Sequence, residues 1–377
     1  MNFDYNEEQQ LLADSVRRFL AKEYDFEARR KIVASDDGWS PAVWATLAEM
    51  GLTGLPFSPD YGGFGGGAVD LMGVMEAAGD ALLVEPYLAT VGLGAQFVAR
   101  AGSEAQKKTV LPAVVEGRLK MAFAHTEKGA RYNLSKVAAQ AKQAGGGWEI
   151  SGEKFAVLGA PSADKFAVSA KTEKGLSLFL VDAAAKGLKV KPNVTLDAQR
   201  AGDVTLSGTP GELLGVEGDA LPVIEEVMDF ATALICAEAV GAMKFACDTT
   251  LEYLKTRKQF GVPIGTFQAL QHRMVDMYVS YEQAKSMACL AASKSDSAVD
   301  GGKDRASAVD RARSVSAAKI KIADNCRHIS QEAIQLHGGM GMTEEMKVSH
   351  SFRRLTMIAQ QFGDAEHHLA RFAALSS

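Results

Sequence analysis

Three groups of residues in this chain have types and spacings that could do chemistry. Arg257 lies three residues ahead of Phe260-Gly261. A guanidinium is a rigid fork of donors suited to phosphate, and the aromatic ring offers an apolar surface beside it. Gln335 is followed by Gly338, Gly339 and Gly341, where backbone N–H groups can approach a ligand closely because glycine has no Cβ and takes positive φ freely. Asp364 and Glu366 sit beside His367 and His368, a cluster able in principle to move a proton. Each group has a plainer reading. Arg257 could be a solvated arginine at a helix end. The glycines could cap a helix C-terminus, which is compatible with ligand contact in the same turn. Adjacent histidines on a helix diverge, and no ligand set with metal spacing surrounds these two, so no metal is expected.

The elements that must position these groups fall into three stretches. Up to about residue 115 the chain reads helical, with Leu11, Leu12, Val16, Phe19 and Leu20 at helical spacing. Asn6 is a candidate N-cap, with Gln9 in the capping-box position. The loop Asp60 to Gly67, with five glycines in the six positions after Tyr61, interrupts that pattern; it reads as a connector or as a loop near a ligand. From Lys120 to about Leu213 the period becomes two: Phe166, Val168 and Ala170 alternate, as do Leu176, Leu178 and Leu180. A Gly145-Gly146-Gly147 turn before Trp148 and Ile150 predicts a hairpin. From about Leu221 the chain is helical again. Ile224, Met228, Ala231 and Ile235 share one face, and Leu270, Met274, Met277, Tyr281 and Ala284 share another, which argues for an antiparallel bundle. Ser293 to Arg313, polar and carrying Gly301-Gly302, is expected to be a loop or a frayed helix end. The expected class is α+β, with domains at 1–118, 119–215 and 216–377. Without strand–helix alternation a doubly wound sheet is excluded, and no GxGxxG follows a strand.

Composition narrows the function. The 377 residues are 47 % hydrophobic with a net charge of −5, and acidic and basic residues are interspersed. No basic tract points to nucleic acid. No apolar run is expected to be long enough to span a bilayer. The N-terminus shows neither a basic n-region nor an apolar h-region, so no signal peptide and a cytoplasmic location are expected. Cys236, Cys247, Cys289 and Cys326 form no CxxC pair and read as buried thiols.

The helical, β, helical order resembles the acyl-CoA dehydrogenases, a family of FAD-dependent flavoenzymes, over essentially the whole chain. Four segments carry the resemblance. Pro59-Asp60-Tyr61-Gly62-Gly63 is similar to a family Pro-Glu-x-Tyr-Gly-Gly, one residue shorter. Ala122 to Ala130 is similar to the Thr-Glu-Pro-Gly-Ala entrance to the β domain. Arg257 to Ile264, with Phe267, Gln268 and Gln271, and the turn Gln335 to Gly341 complete the set. The resemblance implies an N-terminal helical domain, a middle β-barrel and a C-terminal four-helix bundle. It implies FAD contacts from Thr126, Leu158, Arg257, Phe260, Gln268, Gln335, Gly338 and Gly339. It also implies an acyl-CoA substrate, a dimer or tetramer, and electron-transferring flavoprotein as acceptor.

The sequence departs from the family where the chemistry is done. The usual base, a glutamate, falls at Gly363, and the alternative base position falls at Ala231; Asp364 is a weak substitute. The flavin-facing Trp-Ile-Thr reads Ala156-Val157-Leu158. An expected serine reads Tyr132 and an expected arginine Thr232. In the family the adenosine and pyrophosphate are met largely by a neighbouring subunit. This chain keeps the motifs presented to the neighbour and loses those serving its own flavin. That pattern resembles the small, base-less subunits of heteromeric acyl-CoA dehydrogenases, such as those acting on pimeloyl-type or steroid side-chain thioesters. Three functions follow: a base-less subunit, in a heterotetramer with a glutamate-bearing chain or in a dimer; a self-sufficient dehydrogenase using Asp364 or another acid; or a helical scaffold without flavin.

Overall fold

The computed structural model describes residues 5–297 and 305–376. Six helices come first: α1 (Glu7–Glu23), α2 (Phe26–Ala34), α3 (Pro41–Glu49), α4 (Ala68–Ala81), α5 (Ala95–Ala101) and α6 (Glu104–Val115). The capping box at α1 forms as expected, since Asn6 Oδ1 accepts from Gln9 N at 2.8 Å and Gln9 Oε1 accepts from Asn6 N at 3.0 Å. The glycine-rich loop folds back on the turn before it. Gly63 N donates to Ser58 O, and a Cβ on Gly63 would lie 2.1 Å from Phe57 O, so only glycine fits that approach.

Seven strands follow: β1 (Met121–Ala124), β2 (Gln140–Ala144), β3 (Gly147–Leu158), β4 (Lys165–Thr172), β5 (Gly175–Asp182), β6 (Leu188–Val194) and β7 (Arg200–Leu214). β4 pairs with β2, β2 with β3, β3 with β7, β7 with β5, and β5 with β4, which closes a barrel. β1 joins β4 in parallel and β6 extends β7. Phe166, Val168, Phe179, Val181, Ile150 and Val204 fill the interior. The alternation along β4 reads as one buried face, yet Ala167 and Ser169 are also fully buried. Small residues there let α5 pack on the strand and leave Ser169 to a polar network described below.

The C-terminal part holds α7 (Leu221–Thr256), a short hairpin of β8 (Lys258–Gln259) and β9 (Val262–Pro263), α8 (Gln268–Ser297), α9 (Arg305–His337), α10 (Lys347–Gln360) and α11 (Ala365–Ala374). The expected loop from Ser293 to Arg313 is too long: Ser293–Ser297 continue α8 and Arg305–Arg313 begin α9. Helix propensity of the Ala, Arg and Ser there outweighs their polarity, and Gly301-Gly302 lie outside the described residues. A second correction concerns α7. It is long and apolar enough to cross a membrane, against the expectation of no such segment, but most of that stretch is buried inside the fold. The apolar residues run around the whole helix because it is a core helix.

By contacts the chain divides into two compact units, residues 1–29, 67–83 and 232–377, and residues 30–66 and 84–231. In the first, α4 crosses α7 with backbones nearly touching: a Cβ on Gly241 would fall 1.8 Å from Glu76 O, and one on Gly79 1.9 Å from Glu238 O. Glu238 on α7 forms a buried two-pronged ion pair with Arg354 on α10, at 2.5 and 2.7 Å. All four cysteines are buried free thiols, as expected, and burial pushes Cys236, Cys247 and Cys326 up to about 12.

Candidate functional site

Gly363 lies in the short link between α10 and α11, and everything around it fits a residue without a side chain. Lys319 of α9 is fully buried. Its Nζ donates to the carbonyls of Ile358 at 2.8 Å, Ala359 at 3.2 Å and Gly363 at 2.8 Å, capping α10 and fixing the link. Phe362 takes φ +62° and Gly363 φ +124°, a conformation open in practice only to glycine. A Cβ at 363 would lie 2.6 Å from both His367 Cδ2 and His368 Nε2. The His368 ring is buried, 3.2 Å from Phe362 O through Nε2 and 3.3 Å from Ser316 Oγ through Nδ1. Burial and the nearby Lys319 charge push it down to about 3, so it is neutral. Asp364 is the N-cap of α11, its Oδ1 accepting from His367 N at 2.8 Å. Glu366 is exposed in the first turn of that helix, and Ala231 is buried within α7. Among the described residues no group of three His, Cys, Asp or Glu gathers as a metal set.

In the barrel unit, Thr126 follows β1 and is exposed, and its carbonyl accepts from Phe155 N at 2.8 Å. Leu158, half-buried, ends β3. Between them β3 bulges: the pairing with β7 shifts between Lys154 and Val157, and Ala156 takes φ +49° with its N–H donating to Asp203 Oδ1 at 3.0 Å. The segment is held from inside by Lys154, fully buried, whose Nζ donates to Glu127 Oε1 at 2.7 Å, Ser169 Oγ at 3.0 Å and His125 O at 3.2 Å. Glu127 also accepts from the N–H groups of Ala138 and Ala139. Burial lowers Lys154 to about 8 against the pull of Glu127. Satisfied on all sides, this network is a rigid strut.

In the bundle unit, α7 ends at Thr256 and Arg257 leads into the β8–β9 hairpin. Its two apical residues, Phe260 at φ +55° and Gly261 at φ +82°, make the turn that a two-residue hairpin favours. Phe260 is thereby thrust out, 91 % exposed. The Arg257 side chain is exposed with no ion-pair partner among the described residues, and Gln268 is exposed at the start of α8. Gln335 is exposed in the last turn of α9, and the chain then tightens through Gly338 at φ +60°. Nothing lies within 4 Å of where a Cβ would be on Gly338 or Gly339, so the turn is open to a ligand's approach. A guanidinium without an ion-pair partner among the described residues, an exposed aromatic ring set edge-on to Phe267 and an open glycine turn fit the pyrophosphate and adenosine of FAD. One contact joins the hairpin to the turn: the rings of Tyr253 and His337 stack at 4.4 Å and 28°. Sequence reading missed Tyr253, His337, Lys319 and Lys154. Tyr253 could have been found, since it precedes Arg257 by four residues on the same helix face.

A helical domain, a barrel and a bundle carrying these two exposed motifs define a flavoprotein dehydrogenase architecture. The comparisons with known proteins agree. Residues 6–118, 122–208 and 218–375 match the N-terminal, middle and C-terminal domains of acyl-CoA dehydrogenase. Acyl-CoA dehydrogenase FadE12 of Mycobacterium tuberculosis is 30 % identical over 365 residues, covering 92 % of this chain and 90 % of that protein. A variant of the Tcur3481–Tcur3483 steroid ACAD superposes with a TM-score of 0.88 at 28 % identity, covering 98 % of each chain. The ChsE4–ChsE5 complex of M. tuberculosis gives 0.89 at 25 % identity, covering 99 % and 98 %. The chain belongs to the acyl-CoA dehydrogenase family. It has that family's three-domain fold, as in the butyryl-CoA dehydrogenase of Megasphaera elsdenii.

Proposed function

We propose that this chain is a base-less subunit of an FAD-dependent acyl-CoA dehydrogenase that completes the cofactor site of a glutamate-bearing partner. The observation that carries this reading is the contrast between two places in one bundle. The link at Gly363 has no room for a side chain, whereas Arg257, Phe260, Gln335 and the Gly338-Gly339 turn are exposed. FAD, when bound, supplies the acceptor for the substrate's β-hydride. Arg257 would hold the pyrophosphate with a charge-assisted contact, Phe260 would cover the adenosine, and Gln335 with Gly338 and Gly339 would line the rest. Gln268 would contribute from the start of α8. Of the positions that would serve this chain's own flavin, Thr126 is kept, but Ala156 offers no tryptophan cover and Leu158 no hydroxyl. A heteromeric relative, the ChsE4–ChsE5 complex, supports a two-chain assembly, here a dimer or heterotetramer. Acyl-CoA as substrate, electron-transferring flavoprotein as acceptor and a cytoplasmic location belong to the same proposal. The test is isolation of the native assembly through a tag on this chain. The expected result is a second, glutamate-bearing chain and fewer flavins than chains, with acyl-CoA bleaching the flavin of the pair. A lone chain that oxidises acyl-CoA at ordinary rates would refute it.

A further inference from the structure

We propose that the Tyr253–His337 stack is a clamp that sets the Arg257–Phe260 hairpin and the Gln335–Gly339 turn at one fixed spacing, making them a single dinucleotide site. The inference rests on the function proposed above. Tyr253 is bound directly to the hairpin: its carbonyl accepts from Arg257 N at 2.8 Å, and Ile264 N returns to Arg257 O at 2.8 Å. His337 is equally tied to the turn, immediately before Gly338, and a Cβ on Gly341 would lie 2.9 Å from the His337 Cβ. A shift of either ring would therefore move a cofactor motif, and positional tolerance for a bound diphosphate is well below a ring's width.

One ring nitrogen of His337 is hydrogen-bonded and the other is not, so the stack accounts for the ring's placement on the side facing away from Ala333. His337 Nδ1 lies 2.8 Å from the Ala333 carbonyl, which can only accept, so that nitrogen carries the proton. Burial lowers the ring's pKa and keeps it neutral. Nε2 is then a bare acceptor, buried and without a partner among the described residues. A buried acceptor left unpaired is unfavourable, and a flat ring at that position is retained in spite of it.

The experiment uses the assembly isolated through this chain, stripped of flavin and titrated with FAD by fluorescence. Arg257→Ala is expected to weaken FAD about tenfold or more, the effect of one charge-assisted contact. His337→Ala and Tyr253→Leu should each weaken it comparably. Arg257→Ala combined with His337→Ala should cost less than the sum of the two single losses, because the ring acts in part through the arginine. His337→Phe keeps the stack while removing both the bare nitrogen and the Nδ1–H bond to Ala333, so it should bind FAD within about threefold of the natural protein. The clamp is overturned if His337→Ala binds FAD normally, if the two losses add, or if His337→Phe fails as badly as His337→Ala. Should Arg257→Ala leave binding unchanged, or should the assembly take up no FAD, the dinucleotide reading itself falls, and the clamp with it.

Discussion

Replacing Gly363 with alanine puts the smallest possible side chain at the position proposed above to correspond to the family's glutamate. Two penalties are expected. The backbone at φ +124° lies outside the range of an L-residue, which costs roughly 1–3 kcal/mol. The new methyl would lie 2.6 Å from both the His367 and His368 rings, and overpacking of this kind costs roughly 1–3 kcal/mol. His368 cannot swing aside without losing Phe362 O and Ser316 Oγ, and the link cannot shift without losing Lys319. Gly363→Ala should therefore destabilise the bundle by about 2–6 kcal/mol, read from urea unfolding of the purified protein. Removing the clash should remove only its own share. Gly363→Ala with His368→Ala should be less destabilised than the sum of the single variants, with the backbone penalty remaining. A loss under about 0.5 kcal/mol for Gly363→Ala, the size of an ordinary surface change, would show that the link adapts freely and would refute the reasoning. Gly363→Glu would then become a serious route to an active single chain.

Asp364→Asn should leave stability and any acyl-CoA-driven flavin bleaching unchanged, because asparagine caps as well as aspartate; Asp364→Ala should cost about 1 kcal/mol in thermal unfolding. His125 and His368 are held neutral, pushed down to about 3 by burial, from an ordinary value of 6.5. The unfolded chain thus binds more protons between those values, so stability is complete above about pH 6.5 and declines as pH falls towards 3. His368→Gln should flatten that decline in pH-dependent unfolding. Light scattering should give at least twice the chain mass, since Phe260, Val275, Tyr278, Val279 and Met342 leave a broad apolar face on the bundle; a monomer that retains FAD would contradict this.

The architecture was legible because period and punctuation agreed: helical spacing, then alternation, then long amphipathic helices. It failed at α7, where apolar residues on every side hide a core helix from a one-face reading, and at Ser293–Ser297 and Arg305–Arg313, where small polar residues look like loop but propagate helix. Arg257 and Phe260 stand exposed, and types and spacing alone left a solvated and a ligand-facing reading of them equally compatible with that. The sealed link was readable only as an absence, glycine for glutamate. Its physical basis needs Lys319, 44 residues earlier in the chain, and His368, five residues on, and no local pattern connects an interior lysine with three distant carbonyls.

Glu238 sits in the middle of α7, and its counter-ion, Arg354, is 116 residues further along the chain. While the protein is being synthesised, α7 emerges long before that arginine exists. By length and apolarity α7 meets the test for a membrane-spanning segment, as buried core helices also do. An acidic residue at the centre of such a helix opposes insertion by roughly 2.5–3.5 kcal/mol. The same carboxylate that locks α7 to α10 therefore also counts against insertion of the helix before its partner arginine is made, and Glu238→Leu would remove that penalty along with the ion pair.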